Sequence, residues 1–286
     1  MPARVMLLRP VLDSVLAQEP TGIVARIELN LPFICTRTNT TYEIPAWLED
    51  YFPRVIVERT SDLGPATKVA PTLLRHANNP LWVWSIDDDM VYGLQTLAGL
   101  INARSIAAAL VATRADERAQ LKEPVLRLAG LPGLTRRASM TTPLFVLAYD
   151  GLDVLDSSGA LYQSLHECGP FSFPQFFQGY RSVLYPPMLL LGVEPAFVRY
   201  LELTGADPDC RLSDDIVLSN FLSALGVPRV LNGEKFRGVI QDYAQDLGAT
   251  SRQSGGHTQR YPRVILALRA AGLLSLATGA GGPCTS

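Results

Sequence analysis

The chain has 286 residues, of which 48% are apolar and 18% charged, and its net charge is −2 at pH 7. That composition excludes a disordered chain, and the length suffices for one large domain with a substantial core. The near-neutral balance excludes a nucleic-acid binder that works through a basic field, so no nucleic-acid partner is expected. The four cysteines, Cys35, Cys168, Cys210 and Cys284, form no CxxC pair. Neither a zinc knuckle nor a disulfide scaffold is expected, and a reducing, cytoplasmic compartment is the simplest reading. No basic-then-apolar signal peptide opens the sequence. The apolar stretch Val264 to Ala277 is broken by Arg269 and is too short to span a bilayer, so no transmembrane segment is expected.

In chain order, Arg9 to Gln18 reads as a helix with Pro10 in its first turn and Leu8, Val11, Leu12, Val15 and Leu16 on one face. Val24 to Leu29 and the β-branched run Arg54 to Glu58 read as strands. Ala66 to His76 reads as a helix despite Pro71. Leu81 to Ile86 (LWVWSI) is a continuous apolar run, the mark of a strand covered on both faces. Met90 to Ala103 has helical spacing, and Ala107 to Ala112 reads as a further strand, ambiguous because of its alanines. Residues 113–141, charged and without an aromatic side chain, read as a surface insertion or mobile loop. Strands are expected at Leu144 to Ala148 and Tyr180 to Tyr185, and helices at Glu194 to Leu203, Asp214 to Leu225 and Tyr261 to Leu276. Strands alternating with helices imply one α/β domain over residues 1–277, with a mostly parallel central sheet flanked by helices and a frayed tail at 278–286. Folds of this kind mostly begin with a strand. Here the first element is a helix, so either the first strand is missing or Pro2 to Leu7 supplies a short one.

Three constellations carry chemistry. Asp87-Asp88-Asp89 directly follows the apolar strand, and ligands of open α/β sheets bind beyond the carboxyl ends of strands. Three adjacent carboxylates repel one another, a cost relieved by a divalent cation or sugar hydroxyls. An acidic turn capping the next helix would need only one of them. Ser213-Asp214-Asp215 opens an amphipathic helix, where acids favour the helix dipole, yet a carboxylate there can also act as a general base. Asp62-Leu63-Gly64-Pro65-Ala66-Thr67-Lys68 forms a tight turn between a strand and a helix. There a helix N-terminus and the Lys68 charge suit an anionic group, although an ordinary connection has the same look. It is not a P-loop, and GxGxxG is absent.

In this order, SDLGPATKVAPTL, LWVWSIDDDMVYGLQTL, QGYRSVLYPP and LSDDIVLSNFLSALGVPR resemble GT-A glycosyltransferases, in particular the small family-2-like group of bacteria and large algal viruses. The resemblance covers roughly Val11 to Arg229; DDD matches that family's DxD motif, and the DD-I-V-L-S helix followed by GVPR matches its later acidic motif. It implies transfer of a sugar from a nucleotide-sugar donor, a UDP- or GDP-sugar, to the hydroxyl of a glycan or other acceptor, with Mn2+ or Mg2+ as cofactor. Carried over by position, Asp89 would ligate the metal, and Asp87 or Asp88 would touch the ribose or complete the metal site. Asp62, Gly64 and Lys68 would lie along the nucleotide. Asp215, or Asp214, would be the base in an inverting reaction. His257, in a glycine-flanked stretch before the last helix, stands as a third metal ligand or, more blandly, as an exposed loop histidine.

Two departures from the family stand out. Relatives open with a strand ending in a Pro-Arg turn, and Ala3-Arg4 reads as its remnant, so either the start is truncated or this copy has lost donor affinity. Arg181 replaces a small residue, which bears on acceptor or diphosphate contacts. The aromatic run Phe171, Phe173, Phe176, Phe177 and Tyr180 reads as core or pocket wall, with sugar stacking if any part is exposed; Trp82 and Trp84 read as core, and His76 and His166 as structural. Competing functions are a catalytically degenerate scaffold or nucleotide-binding module, and a sugar-phosphate nucleotidyltransferase, which would need a glycine-rich basic loop that is absent.

Overall fold

The computed structural model describes residues 2–120, 144–154, 162–164, 171–234, 236–240 and 256–275. The chain enters through α1 (Pro2–Val5) and α2 (Arg9–Leu16). Pro10 lies in the first turn of α2, where its missing N–H costs nothing, and Val11, Leu12 and Val15 are buried. Strand β1 (Ile27–Pro32) begins three residues later than the pattern suggests, after the turn at Gly22. A small hairpin, β2 (Ile34–Cys35) and β3 (Thr40–Thr41), follows. Strand β4 (Val55–Thr60) pairs in parallel with β1, from Ile27 opposite Val55 to Pro32 opposite Thr60.

The expected helix over 66–76 is divided. A 3-10 turn occupies Gly64–Lys68 and α3 runs Ala70–Arg75, with Pro71 in its first turn. The break falls at Val69, whose φ of −131° is not helical. Strand β5 (Val83–Ser85) lies inside the expected apolar strand but is not covered on both faces. Leu81 is 49% exposed, and Val83, Trp84 and Ile86 are only half-buried, because among the described residues β5 lies at the edge of its sheet. It borders a four-stranded sheet whose other members are β7 (Val146–Ala148), β11 (Val183–Tyr185) and β12 (Arg229–Leu231), in the order β12-β7-β11-β5.

The sheets are mixed rather than mostly parallel. Strands β7 and β12 run parallel, while β11 runs antiparallel to both β5 and β7. Two further antiparallel sets join β6 (Met90–Tyr92) to β13 (Gly238–Ile240), and β8 (Gly151–Val154) to β9 (Tyr162–Ser164) and β10 (Phe176–Phe177). Among the described residues, β1/β4 and β7/β12 are the parallel pairs. Parallel neighbours need long crossovers, and the region between β7 and β11 is built instead from short antiparallel strands. The architecture is therefore α/β in the general sense.

The helix expected over 90–103 is strand β6 followed by α4 (Thr96–Gln120). The strand expected at Ala107 to Ala112 lies in the middle of α4: alanine is the best helix former, and here it decides the conformation. Residues 113–120, assigned to an insertion by composition, continue this helix, and 121–143 lie outside the described residues. Thr96–Thr113 is long and apolar enough to cross a membrane by length and composition. Its residues Leu97, Leu100, Ala103, Ala107 and Val111 are buried in one cluster with Phe145, Leu147 and Tyr149.

Helices α5 (Glu194–Gly205), α6 (Pro208–Arg211), α7 (Asp214–Ala224) and α8 (Gly256–Ala270) complete the described elements. The main core joins Ile216, Phe221 and Phe197 to Phe176, Phe177 and Val264. Phe176 and Phe177 are fully buried, and Phe171 and Phe173 pack against a second cluster, so these four are core and wall rather than a sugar platform. Trp84 packs partly buried on that cluster and donates its indole N–H to the Ser182 hydroxyl. Cys35 and Cys210 are free buried thiols; Cys168, Cys284, His166 and the 278–286 tail lie outside the described residues.

One ion network fixes β1 on α3. The Glu28 carboxylate accepts from Arg75 (2.7 Å), Arg26 (2.6 Å) and His76 (2.6 Å), which gives His76 its structural role. Burial raises the acid's proton affinity, but the donors from Arg75, His76 and Arg26 outweigh it and hold the pKa at about 2 against an ordinary 4.5. The stabilisation is complete above the ordinary value and is lost as pH falls toward 2. Glu28→Gln is expected to cost about 2 kcal/mol at pH 7, after allowance for solvent screening of a partly exposed group. Urea unfolding of both proteins should show the gap closing between pH 5 and pH 2, in the window set by these two pKa values.

Candidate functional site

The two acidic motifs, far apart in sequence, meet at one lysine. Lys68, at the end of the 3-10 turn after β4, places Nζ 2.8 Å from Asp87 Oδ1 and 2.9 Å from Asp214 Oδ2. Asp87 follows the edge strand β5, and its N–H donates to the Tyr92 hydroxyl on β6 (2.8 Å). Asp214 and Asp215 open α7 behind Ser213. The side chain of Ser213 makes no capping hydrogen bond, so the acids themselves face the positive helix end. Asp215 Oδ1 accepts the N–H of Gly179 (2.8 Å), which precedes β11. A Cβ on Gly179 would lie 2.8 Å from that carboxylate and 3.0 Å from Lys68 Nζ, so a larger residue would force those two side-chain ends to shift.

These charges set one another's protonation. Burial disfavours the Lys68 ammonium, but Asp214, Asp87 and Asp215 outweigh it and hold it charged well above its ordinary range. For Asp215, burial and then neighbouring Asp214 push the proton affinity well above the carboxylate range, against the pull of Lys68 and the Gly179 N–H. Asp89 is raised to about 6 by burial and by Asp87 and Asp88, against Arg4 and Lys68.

Arg4, on α1, sits over the remaining two acids. Its Nη1 is 2.5 Å from Asp88 Oδ1 and 3.3 Å from Asp89 Oδ2. The residue that sequence reading treats as the remnant of a turn is thus the counter-ion of the acidic triplet. Asp62 serves the loop: its carboxylate accepts from the Thr36 N–H (2.7 Å), the Thr36 hydroxyl (2.8 Å) and the Gly64 N–H (2.8 Å). Burial opposes its charge, but those bonds and nearby Arg211 hold its pKa below the ordinary value. Arg211 closes the same loop by donating to the Asp62 carbonyl (2.8 Å) and to Thr36 (2.6 Å). Arg181 lies 3.2 Å from the buried Asp150 carboxylate.

Gly64 adopts φ +65°, and a Cβ there would collide with the Arg211 carbonyl oxygen. Gly64→Ala is expected to cost about 1–3 kcal/mol in thermal unfolding, with the loop that presents Lys68 disturbed.

Asp62, Gly64, Lys68, Asp87, Asp88, Asp214 and Asp215 all line one cavity of 1240 Å³. Among the described residues no three His, Cys, Asp or Glu side chains form a ready metal cage. The Asp88 and Asp89 oxygens converge on a single cationic nitrogen of Arg4. Magnesium-like ions take one or two protein carboxylates and complete their shell from phosphate and water, so the donor chemistry of this pair is compatible with such an ion, at the position that the Arg4 guanidinium holds in this structure. His257 lies in the first turn of α8 rather than in a loop, and its side chain lies outside the described residues.

Sequence reading names the acids, Gly64 and Lys68 as candidates, and the structure brings the Lys68 ammonium against two of those acids, Asp87 and Asp214. It misses Gly179, Arg211 and the role of Arg4. The glycine of QGYR was a readable signal for a close backbone approach; the partners of the two arginines are far away in sequence and had none. No protein-family model matches the chain, and comparison with curated proteins finds no match.

Proposed function

We propose that the chain is a metal-dependent glycosyltransferase that moves a sugar from a UDP- or GDP-sugar to an acceptor hydroxyl with inversion. The observation that carries this reading is the convergence of Asp87, Asp214 and Asp215 around Lys68 on the wall of a single cavity. Asp88 and Asp89 would hold Mn2+ or Mg2+. When bound, the ion supplies Lewis-acid stabilisation of the negative charge on a departing diphosphate.

The chain's own residues supply the rest. Asp215 takes the proton of the acceptor hydroxyl. It acts in its ionised form, which its raised proton affinity makes dominant only at mildly alkaline pH, and the Gly179 N–H holds the receiving carboxylate in position. Lys68 fixes Asp87 and Asp214 through its two ion pairs, while the Asp215 carboxylate is held by the Gly179 N–H instead. The loop tied by Asp62, Thr36 and Arg211 keeps Lys68 in place.

Nucleotide sugars incubated with the chain, Mn2+ and simple glycoside acceptors should yield nucleoside diphosphate and a glycosylated product by mass spectrometry. Asp89→Ala is expected to abolish the Mn2+-dependent part of both donor binding and turnover. Undiminished Mn2+-dependent binding in that variant would remove Asp89 from the metal site.

A second reading, a nucleotide-binding module without turnover, is favoured by one observation: Arg4 already pairs with Asp88 and Asp89. Nucleotide affinity that is indifferent to Mn2+, with no product from any donor, would select it.

A further inference from the structure

Arg4 stands where a cation shared by Asp88 and Asp89 would have to bind. Its Nη1 lies 2.5 Å from Asp88 Oδ1 and 3.3 Å from Asp89 Oδ2, so one cationic nitrogen draws on both carboxylates. Asp87, the third acid of the triplet, is turned to Lys68 instead (2.8 Å). That division leaves Asp88 and Asp89 to Arg4. A hard ion on the same pair would use the same oxygens, and two cations that close repel strongly in a partly desolvated site. Guanidinium and metal therefore exclude each other. The pair is also within reach of solvent, with 39% of the Asp88 side chain and 22% of the Asp89 side chain exposed.

The segment that carries Arg4 is lightly anchored. Helix α1 has four residues, too few to be stable without packing. Its buried residue is Val5, which packs with Leu8, Leu12, Leu31, Leu48 and Val55. Ala3 is exposed on one side of this anchor, and Met6 and Leu7 are exposed on the other. The guanidinium lies at the end of a long, flexible side chain beyond Val5. It can leave the acids while α2 and β1 stay packed.

We propose that Arg4 is a built-in competitor for the divalent cation: its guanidinium holds Asp88 and Asp89 in the metal-free chain and yields them to Mn2+ or Mg2+. The inference rests on the metal-dependent reading above and adds a regulation to that site. A resident cation weakens the apparent affinity for an incoming one in proportion to its own occupancy. With Arg4 on the acids in about nine molecules of ten, the metal binds about tenfold more weakly than to the bare pair. Phosphate oxygens complete the shell of a magnesium-like ion, so metal arriving together with a nucleoside diphosphate competes better than metal alone. Arg4 thus keeps the acids paired until nucleotide is present.

The test is titration of the full chain with Mn2+ alone, the free ion being counted by its electron paramagnetic resonance signal. Arg4→Gln is expected to bind Mn2+ about tenfold or more tightly than the wild type. Arg4→Lys should stay within about threefold of the wild type, because the contact runs through one nitrogen and an ammonium keeps the competing charge. Asp89→Ala should lose the binding. In the unsubstituted chain, Mn2+ should speed the modification of Arg4 by a dicarbonyl reagent severalfold, as mapped by mass spectrometry. Equal or weaker Mn2+ binding in Arg4→Gln, with binding still lost in Asp89→Ala, would overturn the competition and leave the metal site standing. Unchanged modification of Arg4 at saturating Mn2+ would do the same. Mn2+ binding by none of these proteins would overturn the competition and the metal-dependent reading together.

Discussion

Asp215→Asn is expected to lower glycosyl transfer by about 10²- to 10⁴-fold while leaving the affinity for nucleoside diphosphate unchanged within about twofold. The substitution keeps the shape of the side chain and its acceptor oxygen for the Gly179 N–H, but removes the capacity to take a proton. Because the change acts on proton transfer, it should appear in kcat rather than in donor binding. Product formation from one nucleotide sugar, with nucleotide affinity from calorimetry on the same preparation, separates the two quantities. Full transfer in Asp215→Asn together with loss in Asp214→Asn would exchange the roles of the neighbours. Full transfer in both would remove the carboxylates from the reaction.

Lys68→Met carries the largest expected effect on stability, a loss of about 3–5 kcal/mol. The methionine fills much of the same space but leaves Asp87 and Asp214 facing each other, with Asp215 nearby and no cation between them. Removing one partner of a largely buried ion pair costs more than the pair's net worth, because the stranded charges, though partly exposed, remain largely desolvated. Urea unfolding of the wild-type and variant chains measures the difference. A loss below about 1 kcal/mol would show the cluster behaving like a solvated surface pair and would undercut its role as the organising centre.

How far the sequence spoke depends on the kind of signal. Local propensity found the ends of α2, β4, α5 and α7 to within two residues, because each carries a clear periodicity or a β-branched run. It misread Ala107 to Ala112, where small apolar residues fit both patterns and only the continuation of α4 decides. The run LWVWSI was legible as a strand but not as an edge, since an apolar strand looks the same whether its neighbour is present or absent. Sheet direction was the least legible feature. It depends on crossovers between distant segments, and the antiparallel pairing of β11 with both β5 and β7 leaves no local trace.

At the site, the acids and Lys68 could be named because clustered charge next to an apolar strand is costly without a purpose. That Lys68 would bridge Asp87 and Asp214, and that Arg4 would cover Asp88 and Asp89, are facts of long-range packing. The same pairings ease the repulsion among the five carboxylates: two cations divide it between them.

The most direct measurement is calorimetric titration of the chain with UDP and with GDP, each in the presence and absence of Mn2+. Binding of one nucleotide that appears only with Mn2+, and disappears in Asp89→Ala, is the expected result, and it would identify the base of the donor. Binding of neither nucleotide under any condition, or equal binding with and without the metal, would contradict a metal-dependent nucleotide-sugar site at Asp87, Asp88 and Asp89.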